Sequence, residues 1–164
     1  MGYMNPTPIQ IQRSRQHKHL SPNGLPIVYV GRGSKWGNPF RLVAAYDGKW
    51  MIKTDGSERC GSILTTHAGF AYDTKEEAAK DAVKLYGIWL LPYEHKTGNV
   101  DEFLRSIAVM ESIEELSGKN LSCWCKIIDE NDNYCLCYAD LLLSLANNKS
   151  IDEIRKENIK TIIR

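Results

Sequence analysis

The apolar positions of this chain change period several times, and each change marks an element. Ile27-Val28-Tyr29-Val30 is a short β-branched run that gives way at once to glycines and polar residues, as a strand feeding a loop does. Before it, residues 1–26 read as irregular, broken by Pro6, Pro8, Pro26 and the turn Ser21-Pro22-Asn23-Gly24. Within them only Ile9-Gln10-Ile11-Gln12 alternates and predicts a short strand. Phe40–Ala45 and Trp50–Lys53, split by Asp47-Gly48, predict a hairpin, and residues 54–72 are turn-rich. Thr74 with Glu77 forms a capping box. The helix behind it gathers Ala78, Ala82, Val83, Tyr86, Trp89 and Leu90 on one face and should end near Pro92.

A second helix is predicted over residues 99–117, with Phe103, Leu104, Ile107, Ala108, Met110 and Ile113 as candidates for burial. Gly118-Lys119-Asn120 turns into the strand Leu121–Cys125. A polar loop from Ile128 to Asn133 leads to a helix over residues 137–147, with Leu141, Leu142, Leu145 and Ala146 inside. Ser150 and Glu153 repeat the capping box and open a last, charged helix.

This order predicts an α/β protein: a small single domain with a mixed or mostly parallel sheet flanked by helices. Composition divides it into a basic irregular arm (1–26), an α/β core (27–149) and a terminal helix (150–164). If strands 27–30 and 121–125 are parallel neighbours, their carboxyl ends share one rim. Open α/β sheets usually bind ligands on that rim.

At 164 residues the chain is long enough to bury a hydrophobic core. No apolar run approaches a membrane span, and Met1-Gly2-Tyr3-Met4-Asn5-Pro6 lacks the charged-then-apolar order of a secretory signal. The cytoplasm is therefore the expected compartment, with no membrane partner. The net charge of +1 hides a segregation. Arg13, Arg15, Lys18, Arg32, Lys35 and Arg41 all precede the first acid, Asp47. So basic a segment suits a phosphate group, on a nucleotide or a short stretch of nucleic acid.

The densest chemistry lies in Gly31-Arg32-Gly33-Ser34-Lys35-Trp36-Gly37-Asn38-Pro39-Phe40. Glycines let the backbone approach a ligand, Arg32 and Lys35 can neutralise an anion, and Trp36 offers a flat ring. Arg13, Arg15, Arg32, Ser34, Lys35, Trp36, Gly37 and Asn38 are thus the candidate ligand-binding residues. Asn38 would hydrogen-bond a base or sugar, or else stabilise its own turn. Asp140, one turn inside its helix, would orient a ligand group or simply cap the helix. With Cys137 these two are the catalytic candidates. His67 and His95 are isolated, and no Walker loop, Gly-x-Ser-x-Gly elbow or His-Glu-x-x-His helix is present.

Four of the five cysteines form two pairs, Cys123-Trp124-Cys125 and Cys135-Leu136-Cys137. Two thiol pairs across a short loop can surround a tetrahedral zinc, and Cys123 and Cys125 would share one face of a strand. The alternatives are buried thiols of a reduced protein, or a reactive thiol at Cys137, beside a helix amino terminus. Cys60 has no neighbour in sequence.

In combination, Ile11-Gln12-Arg13-Ser14-Arg15, the run from Val28 to Phe40, Gly118–Cys125 and Cys137-x-Ala139-Asp140-x-Leu142 resemble the domain of unknown function family numbered 4326, from bacteria and bacteriophages. The resemblance spans residues 9–147 and implies a small cytosolic α/β domain without naming an activity. This chain departs from it twice. Gly33 stands where the family typically has proline, and Cys137-Tyr138-Ala139-Asp140 stands where it reads Cys-His-Ala-Asp. A metal site using that histidine would lose a ligand here, which Cys135 could replace; a catalytic histidine would simply be lost.

The expected function is nucleotide-directed: binding a phosphorylated nucleoside or modified nucleotide through the 31–40 loop, with hydrolysis or transfer as its chemistry. Two alternatives stand beside it. One is a non-catalytic, phage-type protein sequestering a nucleotide signal or a host factor. The other is a zinc-stabilised nucleic-acid module.

Overall fold

The structure, a computed structural model, describes residues 4–10, 21–54, 71–90 and 100–162. Along the chain lie β1 (Pro8–Gln10), β2 (Ile27–Tyr29), β3 (Phe40–Ala44), β4 (Trp50–Thr54), α1 (Lys75–Leu90), α2 (Val100–Glu111), β5 (Asn120–Cys123), α3 (Tyr138–Asn147) and α4 (Ile151–Ile162). These sort into two units. Met1–Gly37 with Ser112–Arg164 form one, so both ends of the chain build it; Asn38–Glu111 form the other.

The first unit is organised by β5. It is the middle strand of a three-stranded sheet, order β1-β5-β2, and pairs parallel with both neighbours. All four of its residues are buried, as a strand covered on both faces must be. The short helical turn Ile113–Leu116 and Gly118, at φ 67°, deliver the chain to it. α3 packs on β5 and on α4, burying Leu142, Leu143 and Ile154. Each such fully buried aliphatic side chain contributes about 1.5–3 kcal/mol. The α4 helix starts at the expected capping box: Ser150 N–H donates to Glu153 Oε2 at 2.7 Å, and Glu153 N–H to Ser150 Oγ at 3.2 Å.

In the second unit β3 and β4 form the antiparallel hairpin that the sequence predicts. Its bend needs left-handed backbone, and Asp47 (φ 57°) and Gly48 (φ 73°) supply it. α1 packs on both strands and on α2. The predicted apolar face of α1 is buried in full, joined by Leu85, and Tyr86 stacks on Trp89 with centroids 5.7 Å apart.

Two helices differ from their predicted faces. In α2, Ser106 and Val109 are buried while Leu104 is 55 % exposed and Ala108 faces outwards. The helix also stops at Glu111, short of 117. In α3, Leu142 and Leu143 are buried but Leu145 is exposed. Both helices carry apolar residues around more than one face, so periodicity alone did not select the packed side. Among the described residues no helix is long and apolar enough to cross a membrane.

Candidate functional site

The parallel pairing of β2 with β5 sets Tyr29 opposite Ser122, and Val30 N–H extends the ladder to Ser122 O at 2.9 Å. The chain after β2 and the chain after β5 therefore leave from one edge of the sheet, as the sequence predicts. β1 ends at the same edge, with Gln10 opposite Cys123. Arg13 and Arg15, which follow it, lie outside the described residues, as do Cys60, His67 and His95.

Three cysteines converge at this edge. The sulfurs of Cys123, Cys125 and Cys137 all lie within 4.8 Å of one another, and Cys123 Sγ and Cys137 Sγ are 3.3 Å apart. The strand stops at Cys123, so Cys125 reaches the group from the bend beyond it, not from a shared strand face. Cys137 arrives from the far side as the N-cap of α3. The loop between them is folded back by Cys135 N–H donating to Ile127 O at 2.7 Å, and by Asp129, which accepts the amides of Asn131 and Asn133. Cys135 itself stays outside the three-sulfur group, its thiol 3.8 Å from Asn133 O. The fourth predicted ligand is thus not assembled with the other three.

The cluster is built to carry negative charge at one sulfur. Hydrogen bonds from Cys123, then Cys137, hold the Cys125 thiol far below its ordinary range, at about 4, and the charge of Arg32 adds to this. Donation to Cys125 pushes the Cys123 thiol up, and burial does the same to Cys137. A tetrahedral ion with bonds of about 2.3 Å to sulfur needs sulfurs about 3.8 Å apart. The spacing found here admits one with little movement, so the three thiols could hold a metal ion.

Behind the cysteines stands a buried polar network. Asp140 Oδ2 accepts the backbone N–H of Cys137 at 2.8 Å. Asp140 Oδ1 accepts the hydroxyl of Tyr134 and, at 3.0 Å, the side-chain amide of Asn158. That amide also donates to Tyr134 Oη at 3.0 Å. Burial pushes the Asp140 carboxyl up to about 6, against the opposing effect of these donated bonds. Of the two roles expected for Asp140, capping is the one its geometry performs.

On the solvent side, Tyr29 (38 % exposed) and Trp124 (48 % exposed) are joined by a 3.2 Å bond from Trp124 Nε1 to Tyr29 Oη. The Tyr29 hydroxyl donates to Arg32 O at 3.0 Å. Its ring lies so close over Gly31 that a Cβ there would stand 2.4 Å from it. The loop then closes on itself: Ser34 Oγ donates to Gly31 O at 2.7 Å and Gly37 N–H to Ser34 O at 3.2 Å. Lys35 is paired with Glu115 at 2.8 Å and sits over the Trp36 ring at 4.6 Å. Trp36 is only 9 % exposed, so the indole presented to solvent is Trp124. Arg32 is exposed. Asn38 belongs to the other unit, where its Oδ1 accepts Phe40 N–H at 2.9 Å and its Nδ2 donates to Ala82 O at 3.2 Å. It stabilises its own turn, one of the two roles expected of it.

Residues 9–148 match the family model described as Domain of unknown function (DUF4326). The chain belongs to that family. No curated protein and no solved structure matches it. In this DUF4326 domain Gly33 has φ 93°, a conformation closed to proline, so the loop cannot be that of a family member carrying proline there. Tyr138 donates its hydroxyl to Val30 O at 3.2 Å and so braces α3 against the end of β2. The match stops before α4, which nevertheless supplies Asn158 to the cysteine network. Trp124 carries a usable signal in the sequence: it is a large aromatic standing between two cysteines. Tyr29, Tyr134 and Asn158 carry no such signal; only the fold brings them here.

Proposed function

We propose that this DUF4326 domain is a nucleotide-directed protein whose ligand sits on the carboxyl rim of the β1-β5-β2 sheet, beside a zinc held by Cys123, Cys125 and Cys137. The observation that carries this reading is the gathering of three sulfurs within 4.8 Å at a sheet edge that also presents Arg32 and the Tyr29–Trp124 pair. Thiolates suit zinc in a reducing cytoplasm, and three protein ligands leave one coordination position for a further donor. Arg32 suits phosphate, and Trp124 suits the face of a base. The protein's own part is to bind and orient: its preorganised cation and ring meet the ligand, while Asp140 fixes Cys137 from behind.

Between catalysis and capture, the geometry favours capture. Both oxygens of Asp140, both ends of the Asn38 amide and the Tyr138 hydroxyl are engaged within the protein. None of these three is a spare proton carrier at the rim. The domain then sequesters a phosphorylated nucleoside and releases it unchanged.

A thermal-shift panel of mononucleotides and short single-stranded oligonucleotides on zinc-loaded protein tests the reading, followed by mass analysis of recovered ligand. Stabilisation by a mononucleotide, lost in Arg32→Ala and Trp124→Ala, is the expected result. An altered ligand would make the protein an enzyme. Response to oligonucleotides alone, falling steeply with salt, would instead mark a nucleic-acid module.

A further inference from the structure

We infer that Asn158, on the helix that lies beyond the family-matched segment, is a positioning residue for the Cys137 thiol and acts through Asp140. It deepens the thiolate site proposed above and rests on that reading for its effect on metal.

Asn158 is fully buried, and its side-chain Nδ2 donates twice, to Tyr134 Oη and to Asp140 Oδ1, each at 3.0 Å. Tyr134 donates to the same carboxylate oxygen, so these three groups close a ring around Asp140 Oδ1. The other oxygen, Oδ2, holds the Cys137 amide at 2.8 Å. Cys137 is an N-cap outside any strand: its carbonyl accepts Asp140 N–H at 3.0 Å and its sulfur accepts Ala139 N–H at 3.5 Å, while its own amide is held by Asp140 Oδ2. Rotation of the carboxylate would swing Oδ2 away and release the Cys137 amide. Asn158 and Tyr134 block that rotation.

A second feature separates this role from mere packing. Asn158 Oδ1 is buried with no hydrogen-bond partner among the described residues, a costly state for an amide that served stability alone. An apolar residue of equal size would avoid that cost. What it could not do is donate to both members of the carboxylate–phenol pair. Outer groups of this kind orient metal ligands, and their loss typically weakens metal binding about 10–100-fold. α4 is itself fastened at its start: Lys149 pairs with Glu157 at 2.9 Å, and Ser144 Oγ donates to Lys149 O across the α3–α4 junction.

Asn158→Ala and the near-isosteric Asn158→Leu, the latter keeping the volume so that the fold survives, provide the test in the full chain. In chelator-treated protein, the iodoacetamide labelling rate of each cysteine is read by peptide mass spectrometry. Cys137 labelling should rise at least about fivefold relative to Cys123 in both variants. Global loosening would raise the two together, and an unchanged ratio overturns the proposal. Cobalt titration of the same proteins reads the thiolate-to-metal absorption band. In the variants its half-saturation should move to about tenfold higher cobalt; an unmoved titration in a wild type that binds cobalt also overturns the proposal. A wild type with no band defeats the metal reading instead, and the labelling ratio still decides the role of Asn158.

Discussion

The carboxylate of Asp140 holds the backbone amide of Cys137 at 2.8 Å, three residues back along the chain, and so joins the start of a helix to a cluster of thiols. A capping box stabilises a helix; here the capped residue is itself one of three sulfurs that meet within 4.8 Å. Local helix chemistry and the candidate metal centre therefore cannot be altered separately.

The cysteine roles are separable by metal analysis. Protein purified without chelators should carry about one zinc per chain, the stoichiometry of a single thiolate site. Cys123→Ser, Cys125→Ser and Cys137→Ser should each lose most of it, whereas Cys135→Ser should retain it. Removing zinc should lower Tm by about 5–10 °C, as expected for a ligand near 100 times its Kd on a protein of this size. Loss of zinc in Cys135→Ser equal to that in the other three would show that the fourth thiol joins the site.

Asp140 gives the stability a pH dependence of definite sign. Its carboxyl is raised to about 6, chiefly by burial, from about 3.9 in an unfolded chain. The folded protein thus holds this proton more tightly than the unfolded one. The associated stability is fully present below about pH 4 and lost as pH rises through about 6. Two units correspond to about 3 kcal/mol as an upper figure. Urea unfolding of metal-free wild type against Asp140→Asn, from about pH 7.5 down to about 4.5, should show wild type gaining on the variant. A difference between the two that stays flat with pH would remove burial as the dominant influence.

The two tryptophans near the rim should respond in opposite ways. Trp36 is buried, and Trp36→Ala should cost about 3–5 kcal/mol of stability. Trp124 is half exposed, and Trp124→Ala should change stability by less than about 0.5 kcal/mol. If a base stacks there, the same substitution should weaken nucleotide binding by about 1–3 kcal/mol. Calorimetric titration beside thermal unfolding reads both quantities. Binding that survives Trp124→Ala intact would move the ligand off this rim.

How much of this was legible in the sequence depends on the range of each signal. The capping boxes at Thr74 and Ser150, the hairpin around Asp47-Gly48 and the buried face of α1 all rest on residues within a few positions of one another, and all formed as expected. The shared rim of β2 and β5 followed from a topological rule applied to two short apolar runs. Three of the four paired cysteines met; Cys135 did not, because the loop that brings Cys137 home is closed by Cys135's own backbone amide. Composition drew attention to Trp36 and Lys35, but composition is blind to burial and to the Glu115 carboxylate that pairs with Lys35. Nor could it join the two chain ends, which meet through the pairing of β1 and β2 with β5.

The amino end of β5 offers a contrast between two buried polar groups. Asn120 is fully buried and accepts the Thr7 amide at 3.0 Å. Its Nδ2 donates to Ser21 Oγ at 3.0 Å and to Asn23 Oδ1 at 2.7 Å, and Asn23 in turn donates to Asn5 O at 2.6 Å. One amide thus ties the segments leading into β1 and β2 to the strand that pairs with both. Asn120→Ala strands a buried N–H and should cost about 2–4 kcal/mol. Thr7 Oγ1, by contrast, is buried with no partner among the described residues. Thr7→Val keeps the shape and removes that orphan, and should leave stability unchanged or raise it by about 1 kcal/mol. Urea midpoints of the two variants decide the matter. A Thr7→Val loss comparable to that of Asn120→Ala would mean that the threonine hydroxyl has a partner after all, and that the network extends beyond these residues.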